Sequence, residues 1–185
     1  MPLLALKLLL TAGVCGLIGW SFARPDRGFL AEVSLLGPWG AGLLAAGFLV
    51  AVAAYARDLQ RLLQAIPAPL RTASPRSVWL MFLIPYNFVE DFWIIAHVSA
   101  SLKAHAATKE TPPRHFGLIS GLGWCALQIV SLVPHEVGSL AGLLAVPLWL
   151  WHWAFVRKAR AGVLADARPT SGNHDARNPE SPAAR

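Results

Sequence analysis

Charged residues are scarce in this chain. Asp, Glu, Lys and Arg make up 14% of its 185 residues, whereas a soluble domain carries about 25%. Hydrophobic residues make up 55%, and the mean hydropathy is +0.49. This composition excludes a disordered chain, which needs low hydrophobicity and high net charge. Because there are only two cysteines, a disulfide-stabilised scaffold is excluded too. The sequence predicts a small membrane protein with several spans.

Sequence patterns typical of catalytic sites are absent as well. The chain contains no Gly-x-Ser-x-Gly, Walker-type or His-Glu-x-x-His pattern. Cys15 and Cys125 are isolated within apolar stretches, where a thiol is usually inert. We therefore predict no catalytic residue. The net charge of +6 comes from the loops and the tail, so it indicates membrane topology and no nucleic-acid partner.

Four apolar stretches are long enough to cross a hydrocarbon core, which takes about 20 residues. They are residues 3–22, 33–56, 116–134 and 137–156. We expect an all-α, four-helix membrane bundle in a single transmembrane domain, residues 1–165. Residues 166–185 are rich in Pro, Ser, Asn, Ala and Arg without apolar periodicity, which predicts a disordered cytoplasmic tail.

The first stretch has a rival interpretation as a cleaved signal peptide. Ser21-Phe22-Ala23 follows an apolar core, as a cleavage site does. The apolar run is long for a signal peptide, however, and Lys7 is the only basic side chain in it. We expect this stretch to be kept as a span, with Lys7 snorkelling toward the headgroups.

A fifth stretch, residues 77–102, is apolar but carries Glu90 and Asp91 at its centre and Pro85 before them. Each carboxylate at the bilayer midplane would cost about 2.5–3.5 kcal/mol. If the stretch spans, Lys and Arg divide 11 to five between the two sides, and if it does not they divide 14 to two. The larger excess belongs in the cytoplasm. We therefore expect residues 77–105 to form a re-entrant or interfacial element of an inner-membrane protein with both termini cytoplasmic.

The helix predicted in this element has a polar side. At about 100° per residue, its polar residues fall within an arc of about 120°. This side either meets cytoplasmic water, as in an interfacial helix, or turns inward as a candidate ion, proton or partner-binding face. The residues are Asn87, Glu90, Asp91, His97, Ser101 and His105.

Two cofactors were considered for the histidines. Glu90 and His97 lie two helical turns apart and could face one divalent cation, but the pair has no recognised metal-binding spacing. His97 and His152 could be axial haem ligands, yet only His152 lies inside a predicted span. We therefore expect neither a metal nor haem.

Small residues and aromatic residues indicate how the spans pack and where the headgroups lie. The Gly117-x-x-x-Gly121 and Gly138-x-x-x-Gly142 patterns predict close contact in a helical hairpin formed by the last two spans. Tryptophans 149, 151 and 153 precede a basic cluster, an arrangement typical of the headgroup region. The predicted lipid headgroup contacts are Arg157, Lys158 and Arg160.

Residues 50–105 also carry a recognisable pattern. Tyr55-Ala56-Arg57, Ser74-Pro75, Trp79 and the run from Phe82 to Asn87 (Phe-Leu-Ile-Pro-Tyr-Asn) resemble an uncharacterised family of small bacterial multi-span membrane proteins. The chain departs from that family in having Asn one residue after Ile-Pro and in the acidic pair Glu90-Asp91. The resemblance implies a bacterial membrane protein and no particular activity.

The sequence thus leads to two functional hypotheses. The favoured one is a non-enzymatic membrane scaffold or accessory subunit that contacts lipid, a membrane-protein partner or a second copy through residues 57–115. The alternative is a small transporter or an ion- or proton-coupled permeation protein that uses Glu90, Asp91 and His97. An enzyme acting on a lipid through the same residues is a third, more distant hypothesis.

Overall fold

The regular elements of the protein are helical. The computed structural model describes residues 2–109 and 116–167, which contain six α-helices and two 3₁₀ helices. This confirms the all-α prediction for these residues, whereas nearly all of the predicted tail lies outside them. The α-helices are α1 (Pro2–Ala23), α2 (Phe29–Ser34), α3 (Gly37–Ala65), α4 (Asn87–Ala107), α5 (Leu118–Val130) and α6 (Glu136–Asp166), and the 3₁₀ helices are Ala68–Leu70 and Pro75–Phe82.

Three helices in the described part of the chain, α1, α3 and α6, are long and apolar enough to cross a membrane. They correspond to the first, second and fourth predicted spans. The predicted third span, residues 116–134, contains only the 13-residue helix α5, which alone is shorter than the roughly 20 residues a span needs. A bundle of four full-length spans is therefore not confirmed.

The three long helices expose apolar side chains. Leu9 is 71% exposed, Leu43 75% and Trp151 73%. Soluble proteins rarely expose contiguous apolar surface of this kind, so these helices are suited to contact with lipid.

At one end of the bundle, the connection from α1 to α3 packs on the turn between α5 and α6. Gly28 has φ +71, and a Cβ there would lie 2.9 Å from the Val133 carbonyl oxygen. Phe29 packs against Gly142 of α6, because a Cβ on that glycine would lie 2.7 Å from the Phe29 ring. We call this end, residues 24–36 and 131–135, the loop end. The opposite end, where α1 begins and where α3 and α6 finish, is the terminal end.

Glycines bring α5 close to α6, as the sequence predicted. A Cβ on Gly121 would contact Ile95 and lie 2.9 Å from the His152 ring, and a Cβ on Gly117 would contact Phe155. α5 therefore lies along α6. The glycines of α1 are different, since Gly13, Gly16 and Gly19 have no described atom within 4 Å of a Cβ position.

Residues 75–107 form a second hairpin, made of the 3₁₀ helix Pro75–Phe82, a turn at 83–86, and α4. The hairpin is closed at the terminal end, where the Thr72 N–H donates to Ser101 Oγ at 2.9 Å. Trp79 Nε1 donates to Gln60 Oε1 at 2.8 Å, which fixes the 3₁₀ helix against α3. The turn lies deeper in the bundle, where Ile84 shares a cavity with Phe48 from the middle of α3.

The core lies between this hairpin, α3, α5 and α6. Its central side chains on α3 are fully buried, whereas α1 contributes one buried apolar side chain, Val14. α1 is thus the most peripheral of the three long helices. The largest fully buried side chains of α3 are Tyr55, Leu59, Leu62 and Leu63.

Candidate functional site

The carboxylate of Glu90 is paired with a lysine from another helix. Lys7 Nζ lies 2.6 Å from Glu90 Oε2, and both side chains are about nine-tenths buried, with exposures of 12% and 9%. Lys7 Nζ also lies 4.8 Å from the centre of the Trp93 ring. Lys7 therefore joins α1 to α4, and the predicted snorkelling toward the headgroups is not what the structure shows.

Asp91, the next residue, points into a different environment. Its side chain is buried, with 2% exposure, and it lines a cavity of about 90 Å³ between α3, α4, α5, α6 and the turn of the second hairpin. We call this the Asp91 cavity. Its lining residues are Phe48, Leu49, Val52, Tyr55, Met81, Phe82, Ile84, Asn87, Asp91, Trp124, Gln128, Ala145, Val146 and Trp149.

Polar groups in the Asp91 cavity lack partners within the described residues. Five lining side chains each carry a buried polar atom without a hydrogen bond to the chain. Such groups are rare in proteins and cost about 1–3 kcal/mol each when nothing satisfies them. They converge on one cavity, so they mark it as a place where a ligand or water can bind. The atoms are Tyr55 Oη, Asn87 Oδ1, Asp91 Oδ1, Trp124 Nε1 and Gln128 Oε1.

Aromatic rings form much of the cavity wall. The Tyr55 ring stands nearly perpendicular to Trp124, with centroids 6.2 Å apart at 84°. It is also nearly perpendicular to Trp149, at 5.7 Å and 79°. Phe48 lies 5.8 Å from Trp149 on the outer side of this group. These contacts between three helices hold the rings in place around the cavity.

The six residues predicted on one polar face of α4 have separate surroundings. Four of the six side chains are buried, namely those of Asn87, Glu90, Asp91 and Ser101. For these four the structure shows the inward arrangement and not the water-exposed one. Asn87 and Asp91 share the cavity, whereas Glu90 meets Lys7. Within the part of the chain that the structure describes, these six residues do not form one continuous solvated face, because other elements cover Asn87, Glu90, Asp91 and Ser101.

The remaining polar residues of α4 lie toward the terminal end. Ser101 Oγ donates to the His97 carbonyl oxygen at 2.8 Å, and the His97 side chain is partly exposed. His105 Nε2 lies 3.6 Å from Asp166 Oδ2, and Lys109 Nζ lies 2.7 Å from the same oxygen. The hydrogen bond from Lys109 is the main reason that the pKa of Asp166, at the end of α6, is below its ordinary value.

His152 is buried in α6 next to the glycines of α5. Its Nδ1 lies 3.0 Å from Ser120 Oγ, and Nε2 has no hydrogen-bond partner among the described residues. The described residues contain no group of three or more His, Cys, Asp or Glu side chains that could hold a metal ion. Glu90, one of the two ligands considered for a cation with His97, is engaged by Lys7.

The three tryptophans that the sequence predicts at the headgroup region lie in different surroundings. Trp151 is exposed, but Trp149 is 7% exposed and lines the Asp91 cavity. Trp153 Nε1 donates to Asp58 Oδ2 at 2.8 Å. Of the three predicted headgroup contacts, Arg157 and Lys158 are exposed and Arg160 is partly exposed.

Sequence reasoning missed five residues of this region. Lys7 and Trp149 were predicted to lie at the headgroups, and no role was predicted for Tyr55, Trp124 or Gln128. A signal was present in Gln128, whose amide lies inside the apolar stretch 116–134. A polar amide within a predicted span is a candidate for contact with another helix or a cavity.

Comparisons with protein-family models, with curated proteins and with solved structures gave no match. The resemblance of residues 50–105 to a bacterial membrane family therefore stays a prediction.

Proposed function

We propose that this chain is an integral membrane protein that binds a small solute or ion in the Asp91 cavity and moves it across the bilayer. The observation that carries the proposal is the Asp91 carboxyl group, which is buried at 2% exposure and has an oxygen without a partner among the described residues. Burying an ionised carboxylate without a partner costs several kcal/mol. Ionisable residues retained at such positions in membrane proteins usually mark substrate or ion pathways.

In the proposed arrangement the chain crosses the membrane four times. Helix α5 and the residues that flank it form the third crossing. The contacts of Gly117 with Phe155 and of Gly138 with Val133 support this, since they place residues 117–133 along most of the apolar part of α6. The terminal end is the cytoplasmic end, because 14 of the 16 Lys and Arg residues belong to it in a four-pass chain. The exposed Arg157 and Lys158, together with Arg160, contact lipid headgroups there.

In this arrangement the second hairpin is a re-entrant element. It starts and finishes at the terminal end, and its turn reaches the middle of α3 and α6. Non-helical backbone at membrane depth is tolerated where it is covered by protein or lines a cavity, and broken helices commonly form the binding sites of transporters. The turn at 83–86 meets this condition, because Ile84 lines the Asp91 cavity.

The burial of the polar side chains of α4 also argues against the scaffold hypothesis. That hypothesis used the polar side of α4 as a contact surface for a partner, but Asn87, Glu90, Asp91 and Ser101 are covered by this chain itself. A solute that enters a cavity can reach Asn87 and Asp91, whereas a protein surface cannot. We therefore favour solute binding over scaffolding.

The test is flux into proteoliposomes containing the purified full chain. A panel of alkali cations, organic ammonium ions, organic anions and neutral solutes is applied with and without a pH gradient. We expect uptake of at least one class, reduced about tenfold or more by Asp91→Asn because the cavity loses its only ionisable carboxyl. Asp26→Asn, which changes an exposed carboxyl at the loop end, should leave uptake unchanged.

Gln128→Met provides a second variant of the same cavity in case Asp91→Asn fails to fold. Each variant is first checked for a single size-exclusion peak and a cooperative melt. Uptake that needs neither Asp91 nor Gln128, or no uptake of any class by folded protein, would overturn the proposal.

A further inference from the structure

We infer that the ligand of the Asp91 cavity is a small organic cation of the alkylammonium class. This inference rests on the function proposed above and names its substrate. It comes from two independent properties of the cavity, the charge of its polar groups and the arrangement of its aromatic rings.

The polar groups of the cavity are mostly acceptors. Oxygen atoms of Asn87, Asp91 and Gln128 have no hydrogen-bond partner among the described residues, and the Tyr55 hydroxyl oxygen can accept as well. The indole N–H of Trp124 is the one obligatory donor among these five atoms. A ligand with N–H donors or a positive charge satisfies this set, and an anion would face Asp91 without compensation.

Within the described residues, the Asp91 carboxyl group has no cationic side chain beside it in the cavity. None of the lining residues is Lys, Arg or His. Lys7, which contacts the neighbouring residue Glu90, is paired with that carboxylate at 2.6 Å and lies over the Trp93 ring. A cationic ligand would therefore supply the counter-charge that an ionised Asp91 lacks among the described residues.

The aromatic rings indicate an organic cation and not a bare metal ion. The Tyr55 ring is nearly perpendicular to the Trp124 and Trp149 rings, and Phe48 and Phe82 extend the wall. Aromatic rings that line a site can attract quaternary and alkylated ammonium groups through cation–π interactions, worth about 2 kcal/mol or more when desolvated. Alkali and alkaline-earth ions instead need a shell of about six oxygen ligands, which this largely apolar wall does not supply.

Size and access agree with this class. A cavity of about 90 Å³ is several times the roughly 10–15 Å³ that suffices for one water molecule, so it has room for a ligand larger than water. The outer wall is formed by the exposed side chains Phe48, Leu49, Ile84 and Val146 on the lipid-facing side of the bundle. An ammonium ion with an apolar periphery can approach along this route.

The decisive experiment compares isosteric ligands on the unmodified protein. Choline and its neutral isostere 3,3-dimethyl-1-butanol have nearly the same shape and differ in charge. Binding to the purified full chain in detergent is followed by calorimetry and by tryptophan fluorescence, with tetramethylammonium and acetate as further probes. We expect choline and tetramethylammonium to bind at least tenfold more tightly than the alcohol, and acetate not to bind.

Variants then locate the binding. Trp149→Leu and Asp91→Asn should each weaken choline binding about tenfold. Trp39→Leu removes a tryptophan that is 87% exposed at the start of α3 and should leave it unchanged. Equal binding of choline and the alcohol would overturn the inference, and so would choline binding insensitive to both cavity variants.

The outcomes also separate this inference from the proposed function. If a neutral or anionic solute is transported in an Asp91-dependent way and ammonium ions do not bind, the proposed function stands and the organic-cation inference is overturned. If no solute of any class binds or is transported, both are overturned.

Discussion

The Lys7 ammonium group lies 2.6 Å from the Glu90 carboxylate across 83 residues of sequence. This ion pair joins α1, the long helix with the fewest buried side chains, to the first turns of α4. Either charge alone would be energetically costly at this buried position. Because the ammonium group and the carboxylate pair with each other, both can be buried there.

The first prediction concerns this pair. Glu90→Gln alone should destabilise the protein by about 3–5 kcal/mol, because it leaves the buried Lys7 cation without its partner. The double variant with Lys7→Met should recover most of that loss. Reversible unfolding in detergent, analysed as a double-mutant cycle, measures the coupling. The exposed pair of Asp26 and Arg27 is the control, since Asp26→Asn should change stability by about 0–1 kcal/mol. Additive single effects would contradict the buried ion pair.

The second prediction concerns helix packing. Gly121→Ala places a methyl group against Ile95 and the His152 ring, and overpacking of this kind costs about 1–3 kcal/mol. Gly16→Ala has open space around it in the described structure and should be neutral or slightly stabilising, since alanine favours a helix over glycine by about 1 kcal/mol. Thermal denaturation of the two variants measures the contrast. Equal shifts in melting temperature would show that α5 does not lie so close to α4 and α6.

The third prediction concerns the closed end of the second hairpin. Ser101→Ala removes the acceptor for the Thr72 N–H and should destabilise the protein by about 1–3 kcal/mol. Amide exchange of residues 68–74 should rise at the same time, because this contact anchors them to α4. Ser99→Ala, on the same helix, makes no such contact among the described residues and is the control. Unchanged exchange at 68–74 in the Ser101 variant would refute the anchoring role.

The fourth prediction concerns topology. In a background with Cys15 and Cys125 replaced by alanine, single cysteines at the two ends of the bundle should label from opposite sides of the membrane. A thiol-labelling reagent that does not cross the bilayer should label cysteines introduced at Arg27 and Glu136 when it is added on the outside of the membrane. Cysteines at Leu70 and Ala107 should label only after the membrane is permeabilised. Labelling of Leu70 and Ala107 from opposite sides would show that the second hairpin crosses the membrane instead of returning.

Hydropathy predicted much of the fold. The spans at α1, α3 and α6 follow from their length and lack of charge, and the end of α3 at Ala65 follows from the prolines at 67 and 69. The tight contact at Gly121 was also predicted from spacing. For residues 77–105 the sequence predicts a re-entrant or interfacial element, because the charge count favours an arrangement that stays on one side of the membrane but does not fix its depth.

The Asp91 cavity could not be predicted from the sequence. Asn87 and Asp91 were predicted from helical periodicity, but their neighbours Tyr55, Trp124 and Trp149 come from three other helices. Which ring meets which carboxyl depends on how these helices rotate about their axes. Apolar spans carry little information on rotation, because leucine is equally suited to lipid and to a helix interface. The pairing of Lys7 with Glu90 was missed for the same reason.

The order of synthesis gives the second hairpin a further consequence. Residues 75–107 leave the ribosome before α5 and α6 exist, yet α5 and α6 supply Trp124, Gln128 and Trp149 around Asp91. The Asp91 cavity is therefore incomplete until the last helix has been synthesised. In the proposed re-entrant arrangement, a chain shortened within α6 would carry Asp91 into the membrane without the full protein wall that surrounds it.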